Sequence, residues 1–499
     1  MRIPQLLFLF LFSFAITSIC AQVKVAKIDV NEVFDLTNMH ELHQSVNKET
    51  GEFCLFMLNN GMWTAALFDK ESNFKKRLNL KRSSFTGFKE ITHTYFDGDR
   101  YNLIFEDLEY IYRLSFNFNE NMVFEETIQL PKIISSVYAH FQINNAYYFI
   151  GLERYSSDIH FLKLTNKEGF ELSKSTLEKD QFRIYDESLM EDLLKPIDLF
   201  SFLEYHSIER FETIYQNEEI SINQSGSPAK LYAYKDKVRL CLDLSRNLTS
   251  IINISLSNFD SEINWFPYNA TMDHKRKAET FNSFILNEEL YQLKAIRKVQ
   301  FLIPSFDLKG DTPAKLKLQI TDLNSGQVVR QFDASNEDEK IEWIYGPFTS
   351  FNSNNKTKYK KYITKDEGYV MIAHLALNDP LIFPKFDKKT KKLKLFFGFT
   401  KYSPKFFDLK ETNANPLIRS LYHTNSGRHY VSEIKLNKED TRTVFNDNIF
   451  HQIDDYVKIL ENDNYSIDPR EVITIFYTDQ IAHLAYYNQK DNTLRIVQF

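Results

Sequence analysis

Glycine and proline are scarce in this chain, with 13 copies of each in 499 residues. That excludes collagen-like and linker-dominated architectures, and it leaves most tight turns to be made by other residues. Cysteine is scarcer still, with 3 copies, one of them (Cys20) in an N-terminal apolar segment. The other two, Cys54 and Cys241, lie in the strand-like runs "FCLFML" and "VRLCLDL". A disulfide-dense small scaffold is excluded. Two buried free thiols are expected, since free cysteine behaves as a small core hydrophobe; a single bridge is the alternative. No strong charge of either sign is present: 61 Lys and Arg face 67 Asp and Glu. The charges are interspersed, so there is no electrostatic reason to bind nucleic acid or an anionic membrane.

Catalytic signatures are missing too. The sequence holds no G-x-S-x-G, no Walker loop and no dinucleotide fingerprint, so no cofactor is expected. "NMHELH" places His40 and His43 three apart with Glu41 between them. A zinc protease helix needs histidines four apart and a third ligand, so this stretch reads as an amphipathic helix or turn and no metal is expected.

One long apolar run is present, at the N-terminus: "MRIPQLLFLFLFSFAITSICAQ". Arg2 supplies the positive end, Leu6 to Ile16 the apolar core, and small or polar residues follow. This is the layout of a secretory signal peptide, with cleavage expected after Ala21. Lipidation of Cys20 is the rival, though bulky Ile19 stands where that processing wants a small residue. No later stretch approaches the length of a membrane helix. The mature chain, from residue 22 on, is therefore expected to be exported to the periplasm or cell surface with no transmembrane segment. Abundant Lys, Asn and Phe fit an AT-rich bacterial source.

What fills the rest is a repeated gesture. "NAYYFIGLERYSSDIHFLKL" (Asn145–Leu164) has a polar turn, an alternating strand, a second polar turn and another strand. The pattern returns in "GMWTAALFDKESNFKKRLNL", "DRYNLIFEDLEYIYRLSF", "DKVRLCLDLSRNLTSIINISL" and the final "DQIAHLAYYNQKDNTLRIVQF". First turns fall near residues 61, 99, 145, 236, 288 and 479, with weaker ones near 368 and 427. Spacings of about 40 to 60 residues match propeller blades. Together with the Asp–x–x–Ser–Gly turn of "ITDLNSGQVVRQF", these repeats make the chain resemble β-propeller proteins at the level of fold, with no motif that names a subfamily. The resemblance implies an all-β β-propeller over residues 22–499, with seven blades expected and six or eight as alternatives. An outer-membrane barrel is the competitor, disfavoured because its strands should be longer and apolar on one face only.

Two segments break the pattern. Residues 176–215 read as an insertion between blades, with "DESLMEDLLK" as a capped short helix. Residues 333–366 read as an exposed connection. "KFDKKTKKLKL" (Lys385–Leu395) reads as a solvated hairpin. A propeller must also close. "VKVAKIDV" (Val23–Val30) alternates and has no following strand to pair with, so it is expected to be the outer strand of the last sheet, beside strands near 472–477, 481–487 and 493–498.

The function expected from these observations is a non-catalytic exported propeller that binds a protein partner, as in an outer-membrane or other envelope complex. The alternatives are a glycan-active hydrolase or lyase with its site at the propeller funnel, and a glycan-binding module. Aromatic-rich loops are the binding clue: "NWFPYNATMDHKR" with Trp265 and Tyr268, and "EWIYGPF" with Trp343 and Tyr345. Rings in polar surroundings suit glycans and protein hot spots alike; packing under a loop or between blades is the competing reading.

Overall fold

The computed structural model describes residues 25–29, 41–59, 62–80, 91–107, 109–165, 169–178, 182–185, 194–215, 224, 226–245, 248–268, 277–298, 315–333, 378–387, 392–401, 430–431, 456, 473–478, 481–488 and 492–499. Among them stand seven sheets of three or more strands and one two-stranded ribbon. The first three blades (41–80, 91–129, 136–176) and the fifth (277–333) are four-stranded antiparallel meanders in chain order. The fourth (212–267) has an extra strand, and the sixth (378–431) has three. Strands Asn378–Asp387 and Lys392–Lys401 pair as a hairpin, as expected for the lysine-rich stretch they contain.

The cores lie between sheets rather than within them. In the first blade's strand Phe53–Asn59, Phe53, Leu55 and Met57 pack with Phe476, Leu494 and Ile496 of the last sheet. Their neighbours Cys54 and Phe56 pack with Leu103, Phe105 and Phe116 of the second blade. Side chains alternate across a strand, so a strand buried on both faces must be apolar at every position. The same division continues from second to third blade through Ile104 and Phe149, from third to fourth through Phe161 and Leu240, and from fourth to fifth through Ile251 and Leu293. First strands of neighbouring sheets touch: Glu41–Val46 meets Ile473–Thr478 on one side and Ile91–Phe96 on the other. Radially stacked meanders of this kind make a β-propeller, not a continuous barrel wall.

Asparagine does the work that scarce glycine leaves open. Two-residue hairpins need positive φ at both central positions, and Asn144 and Asn145 supply it at 50° and 61°. Asn287 and Glu288 do the same at 52° and 60°. Asn is the L-residue that tolerates this region best. Cys54 and Cys241 are free and buried, as expected.

The insertion differs in detail from its sequence reading. Residues 186–193 of "DESLMEDLLK" lie outside the described residues. Its last two, Leu194 and Lys195, belong to strand Leu194–Ile197, paired with Phe182–Tyr185. Pro196 explains this, because a residue before proline is pushed toward extended geometry. The helix comes later, at Leu199–Tyr205, capped by Asp198, whose side chain accepts from Ser201 N at 2.8 Å. Strand Glu212–Tyr215 then pairs parallel with Ala229–Ala233. It also leans on the third blade, where Thr213 Oγ1 donates to His140 O at 2.8 Å. The stretch from His43 is likewise corrected: Glu41–Val46 is a strand, with His43 opposite Phe56, while His40 lies outside the described residues.

The ring closes as expected. Strand Val25–Asp29 pairs antiparallel with Thr493–Gln498, from Val25 opposite Val497 to Asp29 opposite Thr493. It is the outer strand of the last sheet, followed inward by Ile481–Asn488 and Ile473–Thr478. Ala26 and Ile28 pack on the core shared with the first blade. Deleting residues 22–30 should therefore lower the melting temperature of the whole domain. Ile28→Asp should cost about 1–3 kcal/mol in urea unfolding, the range for losing a half-buried aliphatic group. An unchanged melting temperature in the deletion would contradict this closure.

Candidate functional site

A cleft of about 560 Å³ opens between the fourth and fifth blades. Strand Ser261–Pro267 forms one wall. Glu262, Asn264, Trp265 and Phe266 all line the cleft, and Ile263 and part of Trp265 pack with the core shared with the third blade. Lys237, Arg239 and Asn253 lie beside them, and Gln319, Thr321 and Val328 come from the fifth blade.

Arg239 organises the polar wall. Its Nε donates to Asn253 Oδ1 at 2.8 Å, Nη1 donates to Glu288 Oε1 at 3.1 Å, and Nη2 donates to Glu288 Oε2. The guanidinium sits 5.1 Å from the Tyr234 ring centroid. Burial pushes the Glu288 carboxyl up, but hydrogen bonds and charge from Arg239 and Lys237 outweigh it and hold the group below its ordinary value. A forked guanidinium–carboxylate pair fixes geometry as well as charge.

Gln319 leads from the cleft into the protein. Its Nε2 donates to Pro267 O at 2.9 Å and to Gln292 Oε1 at 3.0 Å. Gln292 Nε2 donates to Thr249 Oγ1 at 3.0 Å, and Thr249 Oγ1 donates to Asp243 Oδ1 at 2.8 Å. Asp243 Oδ2 accepts from Ser283 N at 2.7 Å and from Ser283 Oγ at 2.8 Å. The chain ends at Lys230, whose ammonium is 3.6 Å from Asp243 and 2.7 Å from Asn282 Oδ1. Both ends of this ion pair are fully buried. Burial pushes the Lys230 ammonium down, and Asp243 opposes it. Beside them burial lifts the Cys241 thiol to about 12, so it is an inert core group.

A second polar group lies where the first strands of the second and third blades meet. The His93 and His140 rings are 4.5 Å apart, and the Tyr147 ring is 5.2 Å from His93. Tyr147 is buried and its hydroxyl has no hydrogen-bond partner. Nearby Arg210 pairs with Glu106 at 3.3 Å. Burial, aided by Lys48, pushes His93 down to about 4, and burial with the neighbouring His93 and Arg210 pushes His140 well below its usual value.

Of the aromatic residues singled out from the sequence, Trp265 is among those that line the cleft, and Tyr268 is not. Trp265 is half-buried, and its ring meets Phe182 of the insertion at 5.8 Å. Tyr268 is buried against Phe281 at 5.9 Å, with Lys294 5.8 Å from its ring centroid. Trp343 and Tyr345 lie outside the described residues. The buried polar groups behind the cleft went unnoticed in the sequence. Their signal is a charged or amide residue inside an otherwise apolar strand, as in "AKLYA", "LCLDL" and "LYQLKA".

No family model matches the chain, and no curated protein matches it. Among solved structures it is similar to the Dos1 propeller, at 8% identity and a TM-score of 0.31, over 96% of this chain and 95% of that one. It is also similar to prolyl oligopeptidase B from Galerina marginata, at 9% identity and a TM-score of 0.32, over 92% of this chain and 48% of the peptidase. A third likeness is to dihydro-heme d1 dehydrogenase NirN, at 10% identity and a TM-score of 0.23, over 59% and 57% of the two chains. The fold is read from the sheets and cores above, not from these likenesses.

Two outcomes follow. Asp243→Ala leaves the Lys230 ammonium buried without its counter-charge and should cost about 3–5 kcal/mol in chemical denaturation. Lys230→Met should cost less, because Asp243 keeps its Ser283 and Thr249 donors. The histidine pair sets an acid limit. A histidine held neutral when folded but free to protonate when unfolded stabilises the fold fully above its ordinary pKa, near 6.5. That stability is lost as pH falls toward 4, by about 1.4 kcal/mol per pH unit per group. Melting curves between these limits should show a shallower acid loss for His93→Gln with His140→Gln than for the native chain.

Proposed function

We propose that this chain is an exported, non-catalytic propeller that binds a protein partner in the cell envelope, with the cleft between its fourth and fifth blades as the seat. The lining of that cleft carries the reading. Its residues include one carboxylate, Glu262, and no histidine, whereas glycoside hydrolysis by paired carboxylates needs two that face each other. Amides, one tethered guanidinium and the hydroxyls of Thr321 and Ser325 suit recognition, and the rim adds apolar surface. Val328 and Val329 are 39% and 56% exposed beside it. A small apolar patch with a polar surround is the usual composition of a protein interface. Export is proposed from the N-terminal segment alone.

The hydrolase or lyase alternative has one observation in its favour, the meeting of His93 and His140. Glu106, the nearby carboxylate, is engaged by Arg210, so that group lacks a free acid to complete a reaction site.

The test uses the mature chain as bait in cross-linking capture from the envelope fraction of its source. Binding of the recovered protein is then measured by calorimetry. Val328→Lys together with Val329→Lys should weaken binding at least about tenfold while leaving the melting temperature within the small range usual for surface changes. Recovery of no protein, or equal binding by the double variant, would sink this reading.

A further inference from the structure

We propose that Glu153, Asp158 and His160 of the third blade form a binding site for a divalent transition-metal ion of the zinc class. Strand Ala146–Leu152 ends just before Glu153, and strand Asp158–Thr165 begins at Asp158. The turn between them doubles the chain back, with Tyr155 at φ 58°, and brings the three side chains together. One ligand atom from each lies within 4.8 Å of the others.

The imidazole is the observation that points to a ligand. His160 is 2% exposed, and neither of its ring nitrogens has a hydrogen-bond partner. Its Nε2 stands 3.9 Å from Glu153 Oε2, beyond hydrogen-bond reach. A buried polar group left unpaired is costly, and a cation held between the imidazole and the carboxylates would satisfy it. Burial keeps His160 below its ordinary pKa against the pull of Asp158 and Glu153.

The donor set selects the ion. One imidazole and two carboxylates suit zinc-like ions, which bind such donors at about 2.0–2.2 Å. Calcium prefers six to eight oxygens, and magnesium keeps most of its waters. Glu153 is 39% exposed and free to close the remaining distance. Lys174 donates to Asp158 Oδ2 at 3.1 Å, but its half-exposed side chain can release that oxygen to solvent-facing reorientation.

The site would act as a staple. Ser156 O accepts from Phe200 N at 3.1 Å, and Ser157 Oγ accepts from Leu199 N at 3.1 Å. The start of the inserted helix thus hangs from the same turn, and an ion there would tie the insertion to its blade.

The experiment titrates zinc chloride into the chelator-stripped mature chain by calorimetry and follows melting in parallel. One ion per chain should bind, and it should raise the melting temperature. Glu153→Gln and Asp158→Asn should each weaken that event at least about tenfold, while His93→Gln with His140→Gln leaves it unchanged. Glu153 is exposed enough that its variant should fold as the native chain does, which its melting curve without zinc checks. No zinc uptake, or uptake that both carboxylate variants leave unaltered, would overturn the site. The cleft reading is independent of either result.

Discussion

The pairing of Val25–Asp29 with Thr493–Gln498 is the constraint on which the rest depends. Among the described residues each of the hydrophobic clusters joins one blade to its neighbour, and the one between third and fourth also takes in the insertion. A sheet taken alone would expose both faces, and the stack is stable only when its faces are covered on both sides. The closing pairing joins the last sheet to a strand from the beginning of the described chain, so the edge it covers has no free neighbour. It also sets the cluster of Phe53, Phe476 and Ile496 in place, the junction of first and last sheets.

Between the fourth and fifth blades this apolar rule is relaxed. Ile251, Leu293 and Leu318 still pack there, but Lys230, Asp243, Thr249, Gln292 and Gln319 run through the same interface as one hydrogen-bonded chain. A buried polar chain is tolerated when every member is satisfied, and it fixes the relative register of the sheets it joins more narrowly than side chains that merely touch. The cleft lies at the Gln319 end of this chain, so its walls are anchored to a hydrogen-bonded interior.

Much of the fold was legible because strand periodicity is local. The turns at Asn144–Asn145 and Asn287–Glu288, and the last three strands, needed only alternation and turn chemistry to be found. The closing strand needed one further step, that an alternating segment without a following partner must pair elsewhere. In the insertion only Leu194 and Lys195 of the helix-like run are described, and they are extended ahead of Pro196. The candidate site was barely legible. Trp265 and Tyr268 carry the composition of a binding loop; Trp265 lines the cleft while its ring also meets Phe182, and Tyr268 packs against Phe281 away from it. Arg239, Gln319 and Glu288 come from different hairpins, and nothing in a linear reading places them together. Glu153, Asp158 and His160 were in plain view within the repeat itself, but their spacing matches no zinc motif; a turn, not a helix face, assembles them.

The closing strand has a consequence for biogenesis. On a ribosome, Val25–Asp29 is made about 470 residues before the strand it pairs with. Contacts so far apart in sequence come late and slow the final folding step, and until then two sheet edges stand open to other chains. The individual hairpins, by contrast, join neighbours in sequence and can form as they emerge. Assembly of this protein therefore divides into fast local hairpins and one slow global event, and any factor that shields unpaired strands during synthesis would act on that last event.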